Sequence, residues 1–333
     1  MLTKRQNFLE TIRGGNPDRF VNQFEALSLL SADPINGAFP KPVPGGPPVK
    51  VGWGVTVYYG EGQPGPYPLH GDAYTVVPDI RQWKDLVQMP RTDFPDSAWE
   101  ESAKMAGEID RNEFFATVMY GTGVFERLHY LMGMEQCMIN FYEEPALMHD
   151  LIKYDTEYEL KFAEQVIRHW KPDALFHHDD WGTQNSTFLS PEMFQEFIKP
   201  AYIDIYKYYK NNGIEVVVHH SDSYAATLVP DMIDMGIDVF QGCMSTNNVN
   251  ELLKKYGGKI SFMGDLDNGV LDKEDWNLEL IRREVERACK TNGKLHYIPC
   301  LVMGGPYSTF PGVYEAVSSE IDRMSMELRF MFD

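Results

Sequence analysis

The chain is short of the features that most quickly place a protein in a class. It has four cysteines in 333 residues (Cys137, Cys243, Cys289 and Cys300), too few and too scattered for a disulfide framework. In a reducing compartment such thiols are buried, metal-bound or catalytic. Basic residues are scarce as well, 30 against 49 acidic, which leaves a net charge of −19. Affinity for phosphate backbones comes from clustered Lys and Arg, so nucleic acid and anionic membrane surfaces are excluded as partners. No run of about 18 apolar residues occurs, and the start, Met1-Leu-Thr-Lys-Arg, carries charge where a secretory signal needs an apolar stretch. A cytoplasmic protein is expected. No Gly-x-Gly-x-x-Gly opens a helix and no Gly-x-x-x-x-Gly-Lys-Ser/Thr is present, which removes the fingerprints of a doubly wound nucleotide-binding sheet. Repeats, low-complexity stretches and linkers are also missing, so residues 1–333 read as one domain.

What the chain does have is apolar material, 43% of residues with 13% aromatic, and a regular order of elements. A helix is predicted over Thr3–Arg13 and a strand over Phe20–Leu27. Residues Asp33–Asp79 are crowded with Pro, Gly and aromatics and read as a long excursion with short hairpins, a lid over the active site. Beyond it, strands predicted at Phe114–Tyr120, Ala174–Asp179, Glu215–His219, Val239–Gln241, Ile260–Met263 and Leu295–Ile298 alternate with helices. A parallel neighbour needs a helical crossover, so this order implies an α/β fold, a somewhat irregular (β/α)8 TIM-type barrel.

In such a barrel the reagents sit just past the strand ends. Those ends carry His177-His178-Asp179-Asp180-Trp181, His220-Ser221-Asp222, Cys243, Asp265 and Cys300. Side chains at i and i+2 of an extended segment point the same way, so His220 and Asp222 form a metal pair with Cys300 arriving from the last strand. Cys243 and Asp265 stand in reserve. One thiolate, one imidazole and one carboxylate suit zinc better than magnesium or calcium. A metal-free reading uses the adjacent carboxylates Asp179 and Asp180. Alternation lets only one of them face the mouth, here Asp180, while the other caps a helix or meets a loop. The same alternation admits one of His177 and His178, with His178 taken as the catalytic candidate, and Tyr120 offers a phenol at its own strand end. Trp53 and Tyr59 of the excursion, with Trp181 and Gln184, are the candidate substrate contacts.

The run Phe188-Leu-Ser-Pro-Glu-Met-Phe-Gln-Glu-Phe-Ile-Lys-Pro200, preceded by Asp179-Asp180-Trp-Gly-Thr-Gln184 and followed by His220-Ser-Asp222 and Phe262-Met-Gly-Asp-Leu-Asp267, resembles the uroporphyrinogen decarboxylase superfamily from about Phe114 onward. The resemblance implies a (β/α)8 barrel and two chemistries. Decarboxylases receive a polycarboxylate tetrapyrrole on an N-terminal arginine loop. The matching stretch here, Phe20-Val-Asn-Gln-Phe-Glu-Ala-Leu27, has no arginine, and the negative charge disfavours such a ligand. Methyltransferases of the superfamily move a methyl group between a small substrate and a corrinoid on a separate protein, with zinc on a His-x-Cys pair and a later Cys. His220 and Cys300 match the first and last of these, and Asp222 replaces the middle Cys. A carboxylate in that place makes a harder ion, suited to polarising oxygen, so the expected reaction is O-demethylation of a methoxylated aromatic. The alternative is a metal-independent decarboxylase. A homodimer is a further implication of the resemblance.

Overall fold

The structure, a computed structural model, describes residues 1–63, 65–305 and 308–332. Ten strands occur among them: β1 (Leu27–Leu30), β2 (Val49–Lys50), β3 (Thr56–Tyr58), β4 (Tyr67–Pro68), β5 (Phe115–Tyr120), β6 (Ala174–His178), β7 (Val216–His220), β8 (Val239–Cys243), β9 (Ser261–Leu266) and β10 (Tyr297–Leu301). Seven form one parallel sheet in the order β1-β5-β6-β7-β8-β9-β10, curled into a TIM-type barrel with helices outside. The helices used below are α1 (Lys4–Ile12), α2 (Val124–Met132), α3 (Pro145–Trp170), α4 (Lys199–Asn211), α5 (Leu278–Asn292) and α6 (Val313–Phe332). None of the described helices is long and apolar enough to cross a membrane.

The strands are apolar on both faces because both faces are covered. Phe115, Ala174, Phe176, Val216, Val218, Val239, Met263, Ile298 and Cys300 turn inward and pack with Phe8 of α1. Their alternates Ala116, Val118, Leu175, Val217, Phe240, Phe262 and Tyr297 pack outward against the helices. The two-residue period therefore assigns every strand residue to the bore or to the helical layer.

The first strand is displaced from its expected place. Residues 20–26 make no ladder, and β1 begins at Leu27. Gln23 takes a left-handed φ of 51°, which breaks the extended run. Its side chain then does at the barrel seam what a strand would have done. The Leu301 N–H of β10 donates to Gln23 Oε1 at 3.3 Å, and Gln23 Nε2 donates to Ser318 Oγ of α6 at 2.8 Å. β1 and β10 are consequently the two edges of the sheet among the described residues, joined by side chains. Replacing Gln23 by Leu strands the buried Leu301 N–H, and a loss of about 1–3 kcal/mol in urea unfolding is expected. A midpoint equal to that of the wild type would remove Gln23 from this role.

The Pro/Gly-rich excursion holds the antiparallel sheet β2-β3-β4. It is clamped to the helical layer by Trp53, whose ring lies 5.0 Å from that of Tyr158 and 5.9 Å from that of Tyr154, both on α3. The Arg127 guanidinium of α2 sits 4.9 Å from the same ring.

Candidate metal and substrate site

The inward positions of β6 and β7 end in His178 and His220, which are register partners with rings stacked 4.4 Å apart. Asp180 lies two residues past the end of β6. One ligand atom from each of His178, Asp180 and His220 lies within 4.8 Å of the others. Each side chain is held from behind. His178 Nδ1 is 2.8 Å from Glu126 Oε2 in the first turn of α2. His220 Nδ1 is hydrogen-bonded to Gln241 Oε1 of β8. Asp180 Oδ1 accepts the Asp222 N–H at 3.0 Å. With both Nδ1 atoms engaged, the two Nε2 atoms are free, and His220 Nε2 lies 4.0 Å from Asp180 Oδ1.

Charge is concentrated here. Burial opposes a proton on His178, but Glu126, Asp180 and Asp222 outweigh it and push the imidazole up to about 10. Burial, reinforced by His178, pushes His220 down to about 4. Burial and the neighbouring Asp180 push Asp222 up to about 8. Three carboxyl groups around two imidazoles make a pocket that favours positive charge.

The doublets at the end of β6 split between two tasks. Asp179 accepts the N–H groups of Phe125 at 2.9 Å and Glu126 at 2.8 Å, the Tyr202 hydroxyl at 2.5 Å and Trp181 Nε1 at 2.9 Å. It therefore caps α2 and so positions Glu126 against His178. His177 turns outward, with Nε2 2.9 Å from the buried Glu159. Asp180 and His178, the second members, face the mouth.

Several expected site residues lie elsewhere. Cys300 is inward but stands behind the ligand group, its thiol bonded to the Gln241 side chain, so Gln241 separates it from His220. The carboxyl of Asp222 meets Asp180 and is outside the converging triad, because the chain turns away from the extended line after His220. Cys243 packs in the helical layer, since a register shift between Gln241 and Cys243 reverses its face. Asp265 is tied outside the bore to Arg287 at 3.1 Å and Asn292 at 2.7 Å. Tyr120 follows inward Met119 and so points outward, its ring 5.0 Å from Phe162 and 4.9 Å from His177. Trp53 is the clamp described above. Trp181 is buried, stacked 3.8 Å from His219. Gln184 is exposed on the following loop. Tyr59 does line a cavity.

Glu126 and Gln241 were not singled out from the sequence. Gln241 was legible, being two residues after inward Val239. Glu126 was not, because a helix-opening glutamate is common wherever a helix dipole has to be met.

The cavity, about 900 Å³, lies beside the triad and is walled by Phe24, Leu29, Tyr59, Met119, Phe176 and Tyr314 among others. Phe176 joins the two regions, since its ring centroid is 5.8 Å from that of His220.

The sequence model of the uroporphyrinogen decarboxylase (URO-D) family matches residues 70–323, and the chain belongs to that family. Among solved structures, a methyltransferase from Methanosarcina mazei superposes with a TM-score of 0.67 at 13% identity, covering 97% of this chain and 99% of that one. A B12-independent methionine synthase from Shewanella sp. W3-18-1 gives a TM-score of 0.48 at 12% identity, over 74% of this chain and 69% of that one. No curated protein matches the sequence. At such identities the first likeness speaks for the fold.

Proposed function

We propose that the protein is a methyltransferase that takes a methyl group from a small methylated substrate, a methoxylated aromatic, and passes it to the cobalt of a separate corrinoid protein in the cytoplasm. The observation that carries this reading is the convergence of three donor atoms from His178, Asp180 and His220, each fixed by a partner behind it. Two nitrogens and one carboxylate oxygen with an open fourth position fit a catalytic zinc, and a hydrogen bond on the far ring nitrogen is how metal-binding imidazoles are usually oriented. The fold shared with the Methanosarcina methyltransferase supports the same reading.

An aryl methyl ether leaves as a phenolate, a poor leaving group, so its oxygen must be stabilised as the bond to the methyl carbon breaks. Bound zinc supplies that stabilisation as a Lewis acid. The chain's own residues prepare the place. Glu126 and Gln241 hold both imidazoles in orientation, Asp179 fixes the helix that carries Glu126, and the Phe176 ring stands between His220 and the cavity, 5.8 Å from the His220 ring.

The test is incubation with reduced free cobalamin and methoxylated aromatics, with methylcobalamin absorbance as the readout and about one zinc per chain expected by elemental analysis. Metal-free protein that releases carbon dioxide from an organic acid would instead establish a decarboxylase. The supporting carboxylate gives a separate check. Glu126→Gln is expected to weaken zinc binding about 10- to 100-fold in competition with a chelator; unaltered affinity would make Glu126 a purely structural partner.

A further inference from the structure

We infer that the cavity at the unpaired seam between β1 and β10 binds the methyl donor, that the donor enters from the side of the barrel, and that it is an uncharged aromatic rather than an aromatic acid. The inference rests on the methyl-transfer reading for the reaction of the occupant, but its binding stands independently.

The cavity crosses the barrel wall. One part of its lining consists of inward-facing strand residues, Leu29 of β1, Met119 of β5 and Phe176 of β6, while another part comes from Tyr314 and Asp322 of α6, outside the sheet. A continuous ladder would close that route, and at this seam there is none among the described residues. The consequence is visible at Leu29, which is 47% exposed although it shares the inward face of β1 with Leu27, at 8%. Passage here leaves the C-terminal mouth clear for a macromolecular partner carrying the methyl acceptor.

The lining chemistry selects the occupant. Phe24 and Phe176 present rings 5.9 Å apart and tilted by 60°, and Tyr59 and Tyr314 add two further faces around the adaptable Met119. Rings of this kind take a flat ring by offset and edge contacts. Charge at the outer end then discriminates. Glu25 and Asp322 contribute two carboxylates and Lys4 one ammonium among the described lining residues, with Arg19 behind Glu25 at 4.0 Å, which leaves the exposed Asp322 as the carboxylate an entering acid meets. That ammonium lies 5.1 Å from the Phe114 ring. No Arg is among the described lining residues to receive a carboxylate as a fork, the arrangement that acid recognition normally uses. An aromatic acid would meet like charge on a chain whose net charge is already −19.

The matched probes are 2-methoxyphenol and 4-hydroxy-3-methoxybenzoate, which share the ring and methyl ether and differ by a carboxylate. Titration calorimetry on the zinc-loaded full chain, without cobalamin, is expected to show 2-methoxyphenol binding at least tenfold more tightly than the acid. Leu29→Trp should weaken the phenol at least tenfold by filling the seam. The exposed Asp322→Lys change should shrink the preference over the acid by a similar factor, with folding of both variants checked by thermal melting. Should Leu29→Trp fail to fold, Asp322→Lys decides alone. Absence of phenol binding, equal binding of the two compounds, or a preference unmoved by Asp322→Lys would overturn the inference. Binding that obeys these rules with no methyl transfer to cobalamin overturns the reaction and leaves the cavity assignment standing. Transfer that continues at wild-type KM in Leu29→Trp does the reverse.

Discussion

His220→Ala and His178→Ala proteins are expected to be isolated with less than about a tenth of the wild-type zinc and without methyl transfer above background, whereas Cys300→Ser retains both. Loss of one orienting partner behind a ligand costs about 10–100-fold in metal affinity, so loss of a ligand must cost more. His220 and His178 supply the two nitrogens of the triad, so either variant leaves one imidazole and one carboxylate, two ligands where a zinc site needs at least three. Cys300 differs in place: its thiol meets the Gln241 amide, and it is not among the donor atoms that converge. Elemental analysis of the three variants after dialysis against trace zinc decides between two ligand sets. Zinc lost in Cys300→Ser and kept in His178→Ala would restore the set drawn from His220, Asp222 and Cys300.

That contrast marks where the sequence was legible. The crossover order of strands and helices carried the barrel, because each strand is an apolar run bounded by helical patterns and only a parallel sheet accommodates that order. Alternation correctly divided His177 from His178 and Asp179 from Asp180, since Ala174 and Phe176 fix which parity faces the bore. Applied to Tyr120, the same rule points the phenol outward, because Phe115 and Met119 hold the inward parity; the expectation of a phenol in the mouth rested on strand-end position alone. Alternation failed for Asp222. The i, i+2 rule holds only while the backbone stays extended, and β7 ends at His220. The first strand was misplaced because Phe20-Val21 is as apolar as a strand, and nothing in the residue names reveals the left-handed Gln23 that diverts it. Glu126 reaches His178 through a helix docked by Asp179, a contact that exists only once the layers are packed.

The second large effect is expected behind the site, not in it. Arg127→Met should cost about 3–5 kcal/mol in denaturant unfolding, the range seen when one partner of a buried ion pair is removed. Arg127 is 8% exposed and Asp155 is fully buried, with Nε 3.4 Å from Oδ1. The guanidinium also donates to the Thr122 carbonyl at 3.0 Å and lies 4.9 Å from the Trp53 ring. Burial raises the Asp155 carboxyl well above its usual range and Arg127 opposes that rise, so taking Arg127 away removes the cation that favours its charged form and leaves a buried carboxyl that must take up a proton, without its partner. If the pair is the cause, Arg127→Met/Asp155→Leu should recover a substantial part of the loss, because the unpartnered buried carboxyl leaves with its partner. The Trp53 contact adds a readout that a purely local core defect would not move. With the cation gone, the clamp on β2-β3-β4 weakens, and limited proteolysis in that excursion should accelerate even under conditions where the barrel stays folded. A stability loss below about 1 kcal/mol, or a double variant no better than the single one, would show that the pair is not what secures the excursion to the barrel.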